Sequence, residues 1–313
     1  MFTRYRVRMQ QGRGQLLGWL VVAAIGQLVG FEVIRRWFVE TERGQMLDTA
    51  ALSGNSIGWH RIEPLVQTVL GAMTALAVLL SIAAVVVALV RRRFLLAGVV
   101  TLLIVGANIT TQVIKLGLHR PDLGVDLARV SAGNSLPSGH TTVAASVAVA
   151  LVLVLPAWAR GATAVAGAVA TALVGVSTLS ADWHRPSDVV AALLIVGLWA
   201  TLGGIILVLG ESPENAPPAG PPHRAALALL AGVGGLLLVV ALAALALTDR
   251  AVAEVGELSA RRELFVAYAG GAAGITSAAC LVMAMVLTTV HRVVPGPLLN
   301  VGSGRADLGP SIG

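Results

Sequence analysis

The sequence has almost no cysteine, almost no lysine and few charged residues. Cys280 is the only cysteine among 313 residues, which excludes a disulfide within the chain. Lys115 is the only lysine, so arginine carries almost all of the positive charge behind the formal net charge of +6. No basic patch with interleaved aromatic residues accompanies these arginines, and aromatic residues make up 4% of the chain. These shortages argue against a disulfide-stabilised protein and against a nucleic-acid partner.

Long apolar runs dominate the sequence instead. Hydrophobic residues make up 56% of the chain and charged residues 12%, and the mean hydropathy is +0.84. Runs of about 18 or more apolar residues are typical of membrane-spanning helices. The sequence predicts eight spans, at residues 15–36, 64–90, 94–118, 138–158, 162–183, 187–209, 225–247 and 264–290. We therefore expect an all-α fold, a polytopic membrane helix bundle.

One linker divides this chain into two groups of spans. The stretch "GESPENAPPAGPPHR", from Gly210 to Arg224, is rich in proline and charge and separates six spans from two. This pattern predicts a six-span core over residues 1–212, two additional membrane helices over 213–290 and a disordered tail over 291–313. The basic N-terminus precedes about 20 apolar residues without a good cleavage site, which favours an uncleaved first span.

Charge counting favours a cytoplasmic N-terminus. In that topology each side of the membrane carries eleven basic residues, so a raw count leaves the orientation undecided. Three of the outer residues, Lys115, Arg120 and Arg185, lie in the motifs considered next. A role in the chemistry of those motifs would explain their position independently of the topology. Without them the count is 11 inside against 8 outside. The motifs "KLGLHRPD", "LPSGHTT" and "SADWHRPSD" then all lie at the outer face.

The first motif ends the third span and offers cations. Lys115 and Arg120 could hold an anion, with the planar arginine fork facing phosphate oxygens and lysine acting as a point charge. The alternative is a snorkelling lysine among polar packing residues.

The second motif opens the fourth span. Ser138 is a good helix N-cap, and Gly139 lets a ligand approach the backbone closely. The N-terminus of a helix presents free N–H groups and binds anions. The alternative is an ordinary cap with His140 as an interfacial histidine.

The third motif places His184 four residues before Asp188, at the start of the sixth span. A carboxylate one helical turn away can hold one ring N–H and raise the basicity of the other nitrogen. The alternative is an interfacial belt of Trp, His and Arg with a capping aspartate.

Two histidines beside cations and a helix N-terminus are typical of phosphoryl transfer. One histidine can attack phosphorus while the other protonates the leaving oxygen, and the cations stabilise the equatorial oxygens. A metal site is the rival interpretation, but two histidines with scattered aspartates give no recognisable ligand spacing. We therefore expect no metal and no cofactor.

These residues resemble the type 2 phosphatidic acid phosphatase superfamily of membrane phosphatases. Its signature joins a Lys before Arg-Pro, a "PSGH" and Ser-Arg-x5-His-x3-Asp, here "KLGLHRP", "PSGH" and "STLSADWHRPSD". The resemblance implies a six-span phosphatase core with a metal-free mechanism. It implies His184 as nucleophile, Asp188 as its partner and His140 as the acid for the leaving group. The phosphate-binding residues would be Lys115, Arg120, Ser138, Gly139 and Ser177.

The sequence departs from the family pattern at two points. Four residues separate Lys115 from Arg120, whereas the family has six. The family arginine after the serine is replaced by Thr178, which has no guanidinium. Arg185 or Arg129 could replace it.

The resemblance implies hydrolysis of lipid phosphates or diphosphates, with membrane lipid as the surroundings. We expect a plasma-membrane enzyme with an extracytoplasmic site and a role in a bacterial envelope, acting preferably on a polyprenyl phosphate or diphosphate, with phosphatidic-type lipids as the other class. The alternatives are a lipid phosphotransferase using the same site, a non-catalytic binder of lipid phosphate, and a transporter.

Overall fold

The computed structural model describes residues 2–54, 63–126, 133–210 and 223–293, and in these ranges the fold is helical without strands. The predicted all-α bundle is confirmed. Nine α-helices follow one another in the described ranges: α1 Phe2–Ile34, α2 Glu42–Ser53, α3 Glu63–Val90, α4 Phe94–Gly117, α5 Gly139–Val154, α6 Arg160–Ser180, α7 Pro186–Gly210, α8 Arg224–Val255 and α9 Arg261–Val293. A π-helical turn, Arg35–Val39, extends α1, and a 3₁₀ turn, Ala157–Ala159, precedes α6.

Each of the eight predicted spans coincides with one of these helices. Seven of them, within α1, α3, α4 and α6 to α9, are long and apolar enough to cross a membrane. The exception is α5, which has 16 residues against the predicted run of 138–158. Pro156 explains its early end, because the residue before a proline is pushed out of the helical region, and Leu155 is extended with ψ 155°.

The short helix α5 lies at the centre of the bundle. Most of its side chains are buried, and α3, α4, α6, α7 and α9 all pack against it. Its last carbonyls are satisfied by two arginines, since Arg91 donates to Val154 O at 2.8 Å and Arg160 donates to Leu155 O at 3.1 Å. Because α5 is enclosed by other helices, it does not need to match the full hydrocarbon thickness by itself.

The helix α2 was not predicted from the sequence. It is capped by Thr41, whose hydroxyl accepts from Gly44 N at 3.0 Å, and Glu42 stands in its first turn. Its buried side chains pack on α9 and on Leu258, between the end of α1 and the start of α3. Its place beside the first residues of α7 brings it to the end of the bundle that carries the motifs.

The last two helices do not stand apart from the others. Helix α8 packs mainly on α9, and α9 packs in turn on α6 and α7. The division of the chain at residue 212 stays a prediction, and its linker and the predicted tail lie largely outside the described residues.

Candidate functional site

Three sequence motifs lie at the same end of the bundle. The first follows the C-terminus of α4, the second opens α5, and the third forms the turn from α6 into α7. Two contacts join these elements directly. The backbone N–H of Ser138 donates to Asp188 O at 2.9 Å, and the hydroxyls of Thr111 and Thr142 lie 2.9 Å apart. The start of α5 is thereby fixed between α4 and α7.

The N-terminus of α5 leaves backbone donors free. Ser138 is fully buried, and its hydroxyl oxygen accepts from the backbone N–H and the hydroxyl of Thr141 at 3.5 and 3.1 Å. Neither Gly139 N nor His140 N has a hydrogen-bond partner among the described residues. A Cβ at Gly139 would meet only Gln112 Nε2, at 3.8 Å. An anion can therefore approach these two N–H groups closely, where the helix dipole favours it.

His184 and Asp188 form a buried pair at the start of α7. Their side-chain atoms Nδ1 and Oδ2 lie 3.4 Å apart, and the same carboxylate oxygen accepts from the backbone N–H of Arg185 at 2.9 Å. His184 is 6% exposed and Asp188 is fully buried. This geometry assigns the Nδ1 proton to the bond with Asp188, which leaves Nε2 with a lone pair available for attack.

His140 lies on the other side of the turn, against Trp183. The two ring centroids are 5.4 Å apart and the planes are inclined by 37°. His184 and Lys115 both lie close enough to His140 to interact with it electrostatically. Lys115 is half-buried and has no hydrogen bond or ion pair among the described residues. The two histidines and the lysine thus share one small region.

Two buried arginines complete the positive charge. Arg120 donates from one terminal nitrogen to Phe38 O at 3.2 Å, and the same nitrogen lies 3.8 Å from Asp48 Oδ2. Burial lowers the pKa of Arg120, and the nearby Asp48 charge opposes this effect. Arg185 donates to Ser135 Oγ at 3.3 Å and to Asp126 Oδ2 at 2.6 Å. Each guanidinium keeps one buried N–H, at NH1 of Arg120 and Nε of Arg185, without a partner in the described part of the chain.

The end of α6 supports the histidine turn. Thr178 is fully buried, its hydroxyl donates to Gly175 O at 2.8 Å, and its carbonyl accepts from Trp183 N and His184 N at 3.0 and 3.2 Å. Ser177, predicted to bind phosphate, is half-buried in the last turn of the helix, and its carbonyl accepts from Ala181 N at 2.8 Å. Arg129, the other predicted substitute for the family arginine, lies outside the described residues.

Two carboxylates in this region were not predicted from the sequence. Asp48 on α2 accepts from Ser187 N at 3.2 Å and from the Ser187 hydroxyl, and Asp126 pairs with Arg185. Burial, followed by the charge of Asp188, raises the pKa of Asp48 to about 6. The only sequence signal for Asp48 was the cap of α2, a threonine followed by an acidic first turn. No group of three or more His, Cys, Asp or Glu that could hold a metal occurs in the described ranges.

Comparison with known proteins gives one match. A family model described as the PAP2 superfamily matches residues 94–207, which run from the start of α4 almost to the end of α7. No curated protein and no solved structure matches the chain. The matched residues include all three motifs, and the family name indicates phosphatase activity on phosphate esters. The match over residues 94–207 therefore supports the assignment of this part of the chain to the type 2 phosphatidic acid phosphatase superfamily.

Proposed function

We propose that this protein is an integral membrane phosphatase that hydrolyses a lipid phosphate or diphosphate through a phosphohistidine, without a metal ion. The observation that carries the proposal is the buried His184–Asp188 pair beside the free N-terminus of α5. A nucleophile oriented by a carboxylate and facing an anion site is what phosphoryl transfer requires.

In the proposed mechanism His184 Nε2 attacks the phosphorus atom. The bond from phosphorus to the leaving oxygen breaks, and His140 donates a proton to that oxygen. A water molecule then attacks the phosphohistidine, with His140 taking its proton, so that inorganic phosphate leaves and both histidines return to their starting state. Asp188 holds the Nδ1 proton and stabilises the positive charge that develops on the ring of His184.

The phosphate oxygens would be held by donors that have no other partner in the described part of the chain. These are the N–H groups of Gly139 and His140, NH1 of Arg120, Nε of Arg185, and the ammonium group of Lys115. Ser138 supports the first two as the cap of α5, and we propose Ser177 as a further hydroxyl donor. Donors already fixed in place cost no reorganisation when charge develops in the transition state.

The substrate proposal rests on where the site lies. Its residues stand at the ends of apolar helices rather than in the middle of the bundle, which is where a bilayer around these helices would place a lipid headgroup. We propose a polyprenyl or phosphatidic-type lipid as the substrate, and the extracytoplasmic face of the plasma membrane as the position of the site, following the arginine distribution.

The experiment that tests the function is phosphate release by purified protein in detergent with EDTA. The panel contains polyprenyl diphosphate, polyprenyl phosphate, phosphatidic acid and phosphatidylglycerol phosphate, each assayed with the wild type, His184→Ala and, as a matched control, His119→Ala. His119 is exposed, and no hydrogen bond or ion pair links its side chain to the proposed donors in the described residues. Release that survives EDTA and is lost only in His184→Ala supports the proposal and names the substrate.

Two other outcomes would favour the alternatives. Loss of lipid phosphate without release of inorganic phosphate, only when a second lipid is present as acceptor, would indicate a phosphotransferase. Tight binding of phosphate lipids with no turnover would indicate a non-catalytic binder, for which the replacement of the family arginine by Thr178 is the supporting observation.

A further inference from the structure

An apolar cavity lies beside the site, and most of its lining lies outside the family match. It has a volume of about 480 Å³ and is lined by side chains of α1, α2, α7, α8 and α9. Cavities of roughly 300–1,000 Å³ with mostly apolar walls are typical of ligand sites. Of these five helices, only α7 lies in the matched residues 94–207.

The shape of the cavity follows from how these helices pack. Helix α1 packs on α7 and helix α8 packs on α9, so that α1 and α8 form two sides and α7 and α9 form the floor. Along α9 the lining runs from Ala267 to Met285, which is roughly 27 Å at a rise of about 1.5 Å per residue. This length approaches the ~30 Å thickness of a hydrocarbon core. On α8 the lining runs from Leu238 to Thr248, which is roughly 15 Å at the same rise, so the cavity extends along the axes of these helices.

The cavity also reaches the surface that faces lipid. Leu238 and Leu242 of α8 line it and are nevertheless 42% and 56% exposed. Three glycines of α9, Gly270, Gly271 and Gly274, contribute no side chain to the space. A single hydrocarbon chain can thus enter sideways from the bilayer and lie along a smooth apolar wall.

One end of the cavity shares its wall with the phosphate site. Phe38, Asp48 and Ser187 all line it. The carbonyl of Phe38 and the carboxylate of Asp48 are the groups that hold Arg120. Ser187 stands between Arg185 and Asp188 in the sequence. The apolar cavity is therefore adjacent to the proposed phosphate-binding cations, Arg120 and Arg185.

We infer that this cavity holds the hydrocarbon chain of the phosphorylated lipid substrate, with its phosphate at the α5 N-terminus. This inference rests on the proposed function. It assigns substrate selection to α2, α8 and α9, which lie outside the matched residues, and it requires a long single chain in preference to a small phosphate ester. Holding the chain fixes the phosphate near His184, and the many weak contacts along the wall supply the selectivity.

The first test compares substrates of one headgroup and increasing chain length. Ala241→Phe fills the cavity from α8, and Ala243→Phe adds the same ring to the exposed side of the same helix as a matched control. We expect the ratio of kcat/KM for a 16-carbon over a 4-carbon chain to fall at least tenfold in Ala241→Phe and to stay at the wild-type value in Ala243→Phe. Ala278→Leu, from α9, repeats the test if the first variant does not fold. An unchanged ratio in a folded cavity variant would overturn the inference.

The second test reads occupancy without turnover. A lipid phosphate with a photoreactive chain is cross-linked to wild-type protein, and the labelled peptides are compared with those from the same lipid without its phosphate. Labelling of α8 and α9 that depends on phosphate supports the inference even if no hydrolysis is seen, in which case only the proposed function fails. Equal labelling by both probes would mean that bulk membrane lipid fills the cavity, and the inference would be wrong.

Discussion

The Asp48 carboxylate accepts hydrogen bonds from both the backbone N–H and the hydroxyl of Ser187, which lies 139 residues further along the chain. The same carboxylate lies 3.8 Å from the guanidinium of Arg120. One buried group on α2 thus fixes the first turn of α7, which carries Asp188, and one of the proposed phosphate-binding cations. Helix α2 belongs to the site although it lies outside the family match.

Asp48→Asn is expected to change how stability depends on pH. Burial raises the folded-state pKa of Asp48 from 3.8 to about 6, with the charge of Asp188 adding to the effect and Arg120 and Arg185 opposing it. A raised pKa means that this group stabilises the fold below about pH 4 and loses that contribution as the pH rises through 6. The difference between variant and wild type should grow over this range by up to about 3 kcal/mol.

The measurement is the midpoint of thermal unfolding in detergent from pH 4 to pH 8. Asp122→Asn is the matched control, because Asp122 is an exposed aspartate near the same end of the bundle. We expect the wild type and the control to lose stability in parallel with rising pH relative to Asp48→Asn. A constant offset between Asp48→Asn and wild type would contradict the prediction.

The sequence predicted the spanning helices well because each is a long apolar run, a signal that does not depend on contacts. It predicted the motif residues because histidine, lysine and arginine are rare at such positions. Asp48 was missed for the opposite reason. It lies in a short helix of ordinary mixed composition, and only packing against α7 and α9 makes its carboxylate buried. The apolar cavity was not predictable either, since it depends on how α8 and α9 dock.

The partners of Arg185 show the same limit. The sequence suggested Arg185 as a replacement for the arginine missing at Thr178, and its position next to His184 supports that idea. The pairing of its guanidinium with Asp126 and Ser135, from the loop before α5, could not be read from the sequence, because no local spacing links these residues.

Substitution of the two histidines should separate their roles. His140→Ala is expected to lower kcat by roughly 10²–10⁴-fold for an alkyl phosphate, because the leaving oxygen then lacks its acid. His184→Ala should bring the rate to background, because no nucleophile remains. An aryl phosphate has a leaving group that needs no proton. With this substrate, His140→Ala should recover much of the lost rate, whereas His184→Ala should recover none.

Initial rates with matched alkyl and aryl phosphates test this assignment. Recovery of His184→Ala with the aryl substrate would mean that the roles are exchanged. Equal losses with both substrates in both variants would mean that neither histidine acts as the acid.

Trp183 is expected to position His140. The tilted contact between the two rings is of the kind worth about 0.5–1.5 kcal/mol, which corresponds to a loss of roughly 2–10-fold in kcat when the ring is removed. Trp183→Ala should show this loss, and Trp183→Phe should restore most of it. Trp158→Ala is the control, since Trp158 is 83% exposed between α5 and α6, away from the site.

The pH profile of kcat distinguishes positioning from a general loss of stability. In Trp183→Ala the limb of the kcat–pH profile that is assigned to His140 should shift along the pH axis, because the indole ring no longer shields that histidine from water. An unshifted profile with a reduced rate would assign Trp183 a structural role alone.

Arg185 is expected to bind phosphate in place of the missing family arginine. Hydrogen bonds to charged groups are worth about 1.5–3 kcal/mol, so Arg185→Ala should weaken inhibition by vanadate and lower kcat/KM by roughly 10–100-fold. Arg185→Lys should recover little, because an ammonium group cannot donate to phosphate while holding Asp126 and Ser135 at the present spacing.

Arg36→Ala is the control, because Arg36 is an exposed arginine, with a side chain 71% accessible, that pairs with Glu32. Full activity and unchanged vanadate affinity in Arg185→Ala would leave Arg120 and Lys115 as the phosphate-binding cations among the described residues.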